Sequence, residues 1–237
     1  QKTIHMRSVD VCLTHQDFDN YDHKGKIVVV IDVLRATSTI NTLLFLGADH
    51  VRPIGSLEEC KSLKDHDYII MAERLGKKVE GFDYGNSPTK LTEKDIKGKK
   101  VAIATSNGSK AIIKSEGSEM TILCSFLNIE SVINLIKKSE SDVILLCSGW
   151  LGKTNLEDTL CAGGFVAGLD NFEIESDTAL MAKALHENTN DILETMKLSS
   201  HAKRLSGYDN KIDIEFCSRV NTQPIIPLLE GNQIVLS

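Results

Sequence analysis

Short apolar runs alternate with amphipathic stretches along the chain, and the alternation predicts strands followed by helices. The clearest run is KIVVVID, residues 26–32. Its unbroken β-branched core is the pattern of a strand covered on both faces. Further strands are predicted over residues 9–13, 51–54, 68–72, 100–105, 121–125 and 142–148. Helices are predicted over 37–46, from Ser56 onward, over 109–114, 128–138, 157–169 and 177–205. Ser56 and Glu59 have the spacing of a capping box. Val132, Leu135 and Ile136 share one side of their helix. Gly76, Gly81, Gly85 and Pro88 punctuate a loop, and residues 225–236 read as two strands turning at Glu230-Gly-Asn.

This order predicts an α/β fold, layered α/β/α, with a mostly parallel mixed sheet. The 237 residues suit a single unit over 1–237, with sub-lobes of about 1–98 and 99–237 if the chain divides into two α/β lobes. In such sheets ligands bind beyond the carboxyl ends of the strands, so candidate chemistry belongs there.

Four predicted strand ends carry small polar or charged residues. They are Asp32-Val-Leu-Arg35-Ala-Thr37-Ser38-Thr39, Thr105-Ser106-Asn107-Gly108-Ser109, Ser125-Phe-Leu-Asn128 and Ser148-Gly149. A helix is predicted after each. Helix starts present free N–H groups, hydroxyls add donors, and Arg35 adds a planar fork. Together they suit an anionic ligand, a phosphate ester first of all. Each also has a plainer role: Thr37, Ser38 and Thr39 as helix caps, Asn107-Gly108 as turn chemistry, and Arg35 as half of an ion pair.

Asp32 closes a β-branched run and so sits at the edge of the core, where an unpaired carboxylate is costly. It requires a cation, either Arg35 or a metal. Glu157-Asp158 stands at a helix start, where acidic residues commonly complement the dipole. The small residues Ala162, Gly163 and Gly164 that follow let that helix approach a neighbour closely. Glu73-Arg74 is a third charged position at a strand end. Hard oxygen donors beside a phosphate point to Mg²⁺ rather than zinc.

Charge and composition narrow the classes. A net charge of −6 argues against a general nucleic-acid binder. No apolar run approaches the ~20 residues of a membrane span, and no charged-then-apolar leader opens the chain, so a cytoplasmic protein is expected. Six cysteines without a C-x-x-C read as reduced core thiols, and Cys161 has no nucleophile motif around it. A P-loop, a dinucleotide-binding glycine fingerprint and a nucleophile elbow are all absent.

The segments Ile31 to Thr39, Glu73-Arg74, Gly81-Phe-Asp-Tyr-Gly85-Asn86-Ser87-Pro88, Thr105 to Ser109, Ser125-Phe-Leu-Asn128 and Leu156 to Gly163 occur in an order that resembles the 2-phosphosulfolactate phosphatase family. Ser200-His201, Asp213-Ile-Glu-Phe-Cys217 and Ile226-Pro227 fit it as well. The resemblance implies a Mg²⁺-dependent phosphomonoesterase that converts (R)-2-phospho-3-sulfolactate to 3-sulfolactate and phosphate. In methanogens that product leads toward coenzyme M, and in bacteria toward other sulfonate metabolism. Trp150 stands where a small residue is expected and would narrow the pocket.

On this reading Asp32 with Glu157, Asp158 or both holds Mg²⁺. Arg35, Ser106, Asn107 and Gly108 bind phosphoryl oxygens, with Thr37, Ser38 and Arg74 beside them. Asn86, Ser125 and Asn128 orient the rest. Water attacks in line, with an aspartyl-phosphate on Asp32 as the alternative. The other functional alternatives are a phosphatase of another phosphorylated hydroxy acid and a non-catalytic small-anion binder. Residues 176–205 carry no evident site chemistry and are assigned to packing cover or to a subunit interface, the latter giving a homodimer.

Overall fold

The computed structural model describes residues 6–206 and 211–237. It is an α/β structure. The strands are β1 (Ser8–Cys12), β2 (Ile27–Ile31), β3 (His50–Pro53), β4 (Tyr68–Arg74), β5 (Lys77–Lys78), β6 (Lys100–Ala104), β7 (Met120–Cys124), β8 (Val143–Cys147), β9 (Glu173–Ile174), β10 (Pro227–Glu230) and β11 (Gln233–Leu236). The helices are α1 (Ala36–Phe45), α2 (Leu57–Ser62), α3 (Glu93–Ile96), α4 (Gly108–Lys114), α5 (Ile129–Ile136), α6 (Leu156–Ala167), α7 (Asp177–Glu187), α8 (Ile192–Lys197), α9 (Ser200–Ser206) and α10 (Lys211–Cys217).

Alternation along β2 shows why its β-branched run is needed. Ile27, Val29 and Ile31 pack with α5, α6 and α7 on one face, while Val28 and Val30 pack with α1 and α4 on the other. Both faces are therefore apolar and covered. β1, β2, β7, β8 and β9 form one parallel block, and β3, β4 and β6 a second. The hairpin β10–β11 lies between them, antiparallel to β7 on one side and to β3 on the other. Strand direction thus reverses three times between β7 and β3, so the two blocks run in opposite senses.

In a flat sheet β6 and β2, five intervals apart in the strand order, would lie roughly 24 Å from each other. Instead the segment after β6 touches the segment after β2. A Cβ on Gly108 would fall 2.6 Å from Asp32 Oδ2 and 2.3 Å from Ala36 Cβ. The sheet therefore curls round α1 and α4, whose Ile40, Leu43, Leu44, Ala111 and Ile112 meet apolar residues of both blocks. Curling brings the carboxyl ends of β2, β4, β6 and β8 to one cleft.

Several elements differ from the sequence pattern. The loop after β4 contains the short strand β5, paired antiparallel to Glu73-Arg74. The helical stretch 177–205 is three helices rather than one. Asp191 Oδ1 accepts from Glu194 N at 3.0 Å and caps α8, and Ser199 Oγ accepts from Ala202 N at 2.9 Å at the start of α9. These caps offer the backbone partners that end one helix and begin the next.

Candidate active site

Asp32 follows β2 directly and is buried. Its Oδ1 accepts from Ala36 N at 3.1 Å, and its Oδ2 faces the glycine that opens α4. Glu157 and Asp158 lie in the first turn of α6, both fully buried. Asp158 Oδ1 accepts from Val33 N at 2.8 Å, and Oδ2 accepts from Ser148 Oγ at 3.1 Å. Glu157 Oε1 lies 3.1 Å from His201 Nδ1 and accepts from Asn155 Nδ2 at 3.3 Å, whereas its Oε2 is buried without a partner.

No Lys or Arg pairs with any of these three acids among the described residues. Burial pushes the Asp32 carboxyl above the ordinary carboxylate range, with the His201 ring opposing it. Burial, then the neighbouring Asp32 and Glu157 charges, push Asp158 well above that range. Like charges withdrawn from water favour either a held proton or a bound cation. Among the described residues no three His, Cys, Asp or Glu side chains are disposed to share one metal ion. A magnesium ion asks for less, because one or two carboxylates plus phosphate oxygens and water are its usual shell. The hard oxygens of Asp32 and Asp158 suit such a shell of one or two carboxylates, and Glu157 Oε2 is a separate buried oxygen without a partner.

Arg35 is held differently from the expectation. Its two terminal nitrogens bond Glu73 Oε2 and Asp213 Oδ2. Asp213 Oδ1 in turn accepts from Ser87 Oγ at 2.8 Å and Thr89 Oγ1 at 2.5 Å, and Glu73 Oε1 accepts from Gly76 N at 2.9 Å. Arg35 lines the cleft as the centre of a neutralising network joining three distant segments. Thr105, Ser106, Asn107 and Asn86 also line it. Asn107 opens α4 without capping it through its side chain, and Asn86 Oδ1 is buried and unpartnered.

Other expected ligand residues are placed elsewhere. Thr37 Oγ1 donates to Asp32 O at 2.9 Å, and Ser38 Oγ to Val33 O at 2.8 Å, so both buried hydroxyls fix the turn into α1. Arg74 Nη1 donates to Glu73 O at 2.8 Å, outside the cleft lining. Ser125 and Asn128 cap each other reciprocally, and both accept from Asn41 Nδ2, at 3.1 and 2.8 Å. Asn128 Nδ2 also donates to Leu123 O and Ile225 O. This network ties α1 and the C-terminal hairpin to the end of β7.

One wall joins Trp150, which the sequence placed at the pocket, to the segment 176–205, which showed no site chemistry in the sequence. Trp150, His201 and Arg204 line the cleft. The indole stacks on the His201 ring with centroids 5.8 Å apart, and the Arg204 guanidinium lies 5.0 Å from the indole centroid. Helix periodicity could have paired His201 with Arg204, three residues on, but nothing local linked them to Asp32. The thiols stay in the core as expected: all six cysteines are buried and unpaired, and burial pushes Cys161 well above the ordinary thiol range.

Fold and cleft define an α/β protein with an acidic strand-end site. The family model described as 2-phosphosulpholactate phosphatase matches residues 12–232. A Thermotoga maritima protein named "Probable 2-phosphosulfolactate phosphatase" is 39% identical over 212 residues, covering 89% of this chain and 92% of its own. Like-named proteins of Caldanaerobacter subterraneus subsp. tengcongensis and Clostridium acetobutylicum are 37% and 33% identical, covering 92% and 96% of this chain and 93% and 99% of their own. The chain belongs to the 2-phosphosulfolactate phosphatase family of phosphoric monoester hydrolases. No helix among the described residues is long and apolar enough to cross a membrane.

Proposed function

We propose that this chain hydrolyses (R)-2-phospho-3-sulfolactate to 3-sulfolactate and phosphate with the help of Mg²⁺. The observation that carries the reading is the buried cluster of Asp32, Glu157 and Asp158 at the head of the cleft, in a chain of this family. Asp32 and Asp158 would hold the ion, with the Ser148 hydroxyl on Asp158 and Glu157 alongside. When bound, Mg²⁺ would neutralise phosphoryl charge and position water. Ser106, Asn107 and the backbone at Gly108 cradle the phosphoryl oxygens beside Asp32. Arg35, clamped by Glu73 and Asp213, holds the cleft wall in register. Water attacks phosphorus as the ester P–O bond breaks, so its oxygen enters the phosphate and its proton goes to the leaving hydroxyl.

The test is single turnover in ¹⁸O-labelled water with phosphosulfolactate and a panel of phosphorylated hydroxy acids. Label in the released phosphate shows that water oxygen ends on phosphorus, and inversion at a chiral phosphoryl group supports direct attack by one in-line displacement. Net retention, or phosphate trapped on Asp32 during the single turnover, replaces it with an aspartyl-phosphate route. Release only from other esters keeps the reaction class and discards the substrate.

A further inference from the structure

Among the described residues the cleft is lined by two arginines, and they are not equivalent. Arg35 is committed to the carboxylates of Glu73 and Asp213. Arg204 has no carboxylate partner among the described residues. Its Nη2 donates to His201 Nε2 at 2.8 Å, its Nε is shut away from solvent with no acceptor among the described residues, and its guanidinium carbon lies over the Trp150 ring, 5.0 Å from the centroid. A cation held over an aromatic face keeps its N–H donors for other partners. The helix that presents it is anchored by Ala202 and Leu205 in the core. Arg204 is therefore a held positive charge, without a carboxylate partner among the described residues, in the same cleft as the acidic cluster.

This polarity orients a substrate that carries more than one acid group. We propose that Arg204 is the specificity-determining residue of the cleft. It takes the oxyanion of the substrate's non-transferred acid group, sulfonate or carboxylate, and so directs the phosphoryl end toward Asp32. The assignment rests on the reaction proposed above but is tested apart from it.

The experiment compares wild type with Arg204→Gln and Arg204→Lys on four phosphate esters. These are 2-phospho-3-sulfolactate, 2-phospholactate (no sulfonate), the phosphate ester of 2-hydroxyethanesulfonate (no carboxylate) and phenyl phosphate (neither). Arg204→Gln should raise KM for phosphosulfolactate roughly tenfold or more, the scale of a lost charge-assisted hydrogen bond. It should leave kcat within about threefold and kcat/KM for phenyl phosphate within about twofold, because uniform binding is what is lost. Arg204→Lys should lie between. Whichever single-acid ester keeps the effect identifies the group held. An equal loss on phenyl phosphate, or an unchanged KM for phosphosulfolactate, overturns the proposal.

Calorimetric binding of 3-sulfolactate provides the arm that needs no turnover. The expected result is binding to wild type, weakened roughly tenfold or more by Arg204→Gln. No binding to wild type, or equal binding to both, overturns the proposal. Arg204-dependent binding without hydrolysis of phosphosulfolactate would instead defeat the proposed reaction and leave this assignment standing.

Discussion

Asp158 accepts two hydrogen bonds and meets two other acids, yet no cation faces it among the described residues. Its charged form is therefore disfavoured in the folded, ion-free protein. Asparagine at this position keeps an acceptor for Val33 N, and the Ser148 hydroxyl can turn to accept from the new amide. Asp158→Asn should raise the thermal midpoint of the metal-free protein at pH 7, by about 2–4 °C for each ~1 kcal/mol of relieved burial. Scanning calorimetry in EDTA measures it. A lower midpoint would mean the carboxylate is adequately compensated as it stands. Asp32 was legible in the sequence because it interrupts an apolar run. The true work of Ser125 and Asn128 was not, because a reciprocal cap and a ligand site use the same residue types. The role of Arg204 was hidden because its partners, Trp150 and His201, are assembled only by the fold.

At the scale of elements, α6 sets the acids by lying hard against α7. A Cβ on Gly163 would come 1.9 Å from Ala182 O, which is backbone and cannot turn aside. The Gly163→Ala variant should lose about 1–3 kcal/mol of stability from overpacking and lower kcat/KM as the first turn of α6 shifts, read by urea unfolding and steady-state kinetics. Unchanged stability would show that the two helices part freely. The sequence signalled this contact through consecutive small residues. It also signalled β2, whose β-branched run admits few other structures, and the β10–β11 hairpin through Glu230-Gly-Asn. It hid the division of 177–205 into α7, α8 and α9. Asp191 and Ser199 sit within a continuous helical pattern, and a capping side chain there is decided by tertiary contacts.

For the whole molecule, the insertion of β10–β11 between oppositely running blocks determines where the site lies. No local pattern reveals that, since each block alone reads as an ordinary parallel α/β unit. The arrangement concentrates buried carboxyls, with a consequence for pH. A carboxyl raised in the folded state binds its proton where the unfolded chain has lost it. Stability of the ion-free protein therefore falls as pH rises from about 4 through the raised values of Asp32 and Asp158, and is flat below that window. Denaturant midpoints from pH 4 to 8 in EDTA should show this fall, and Mg²⁺ should reduce it by binding only the folded state. A rise across the same window would contradict the burial argument.

The acidic cluster at the curled sheet's strand ends is proposed to support ion-assisted phosphate ester hydrolysis. This role is tested most directly by phosphate release from (R)-2-phospho-3-sulfolactate, comparing wild type and Asp158→Asn with Mg²⁺ and with EDTA. Wild type should release phosphate, EDTA should abolish the release and Mg²⁺ restore it, with Asp158→Asn reduced at least about a hundredfold, roughly 2.7 kcal/mol in the barrier. Release indifferent to EDTA, or an Asp158→Asn variant as active as wild type, would contradict it.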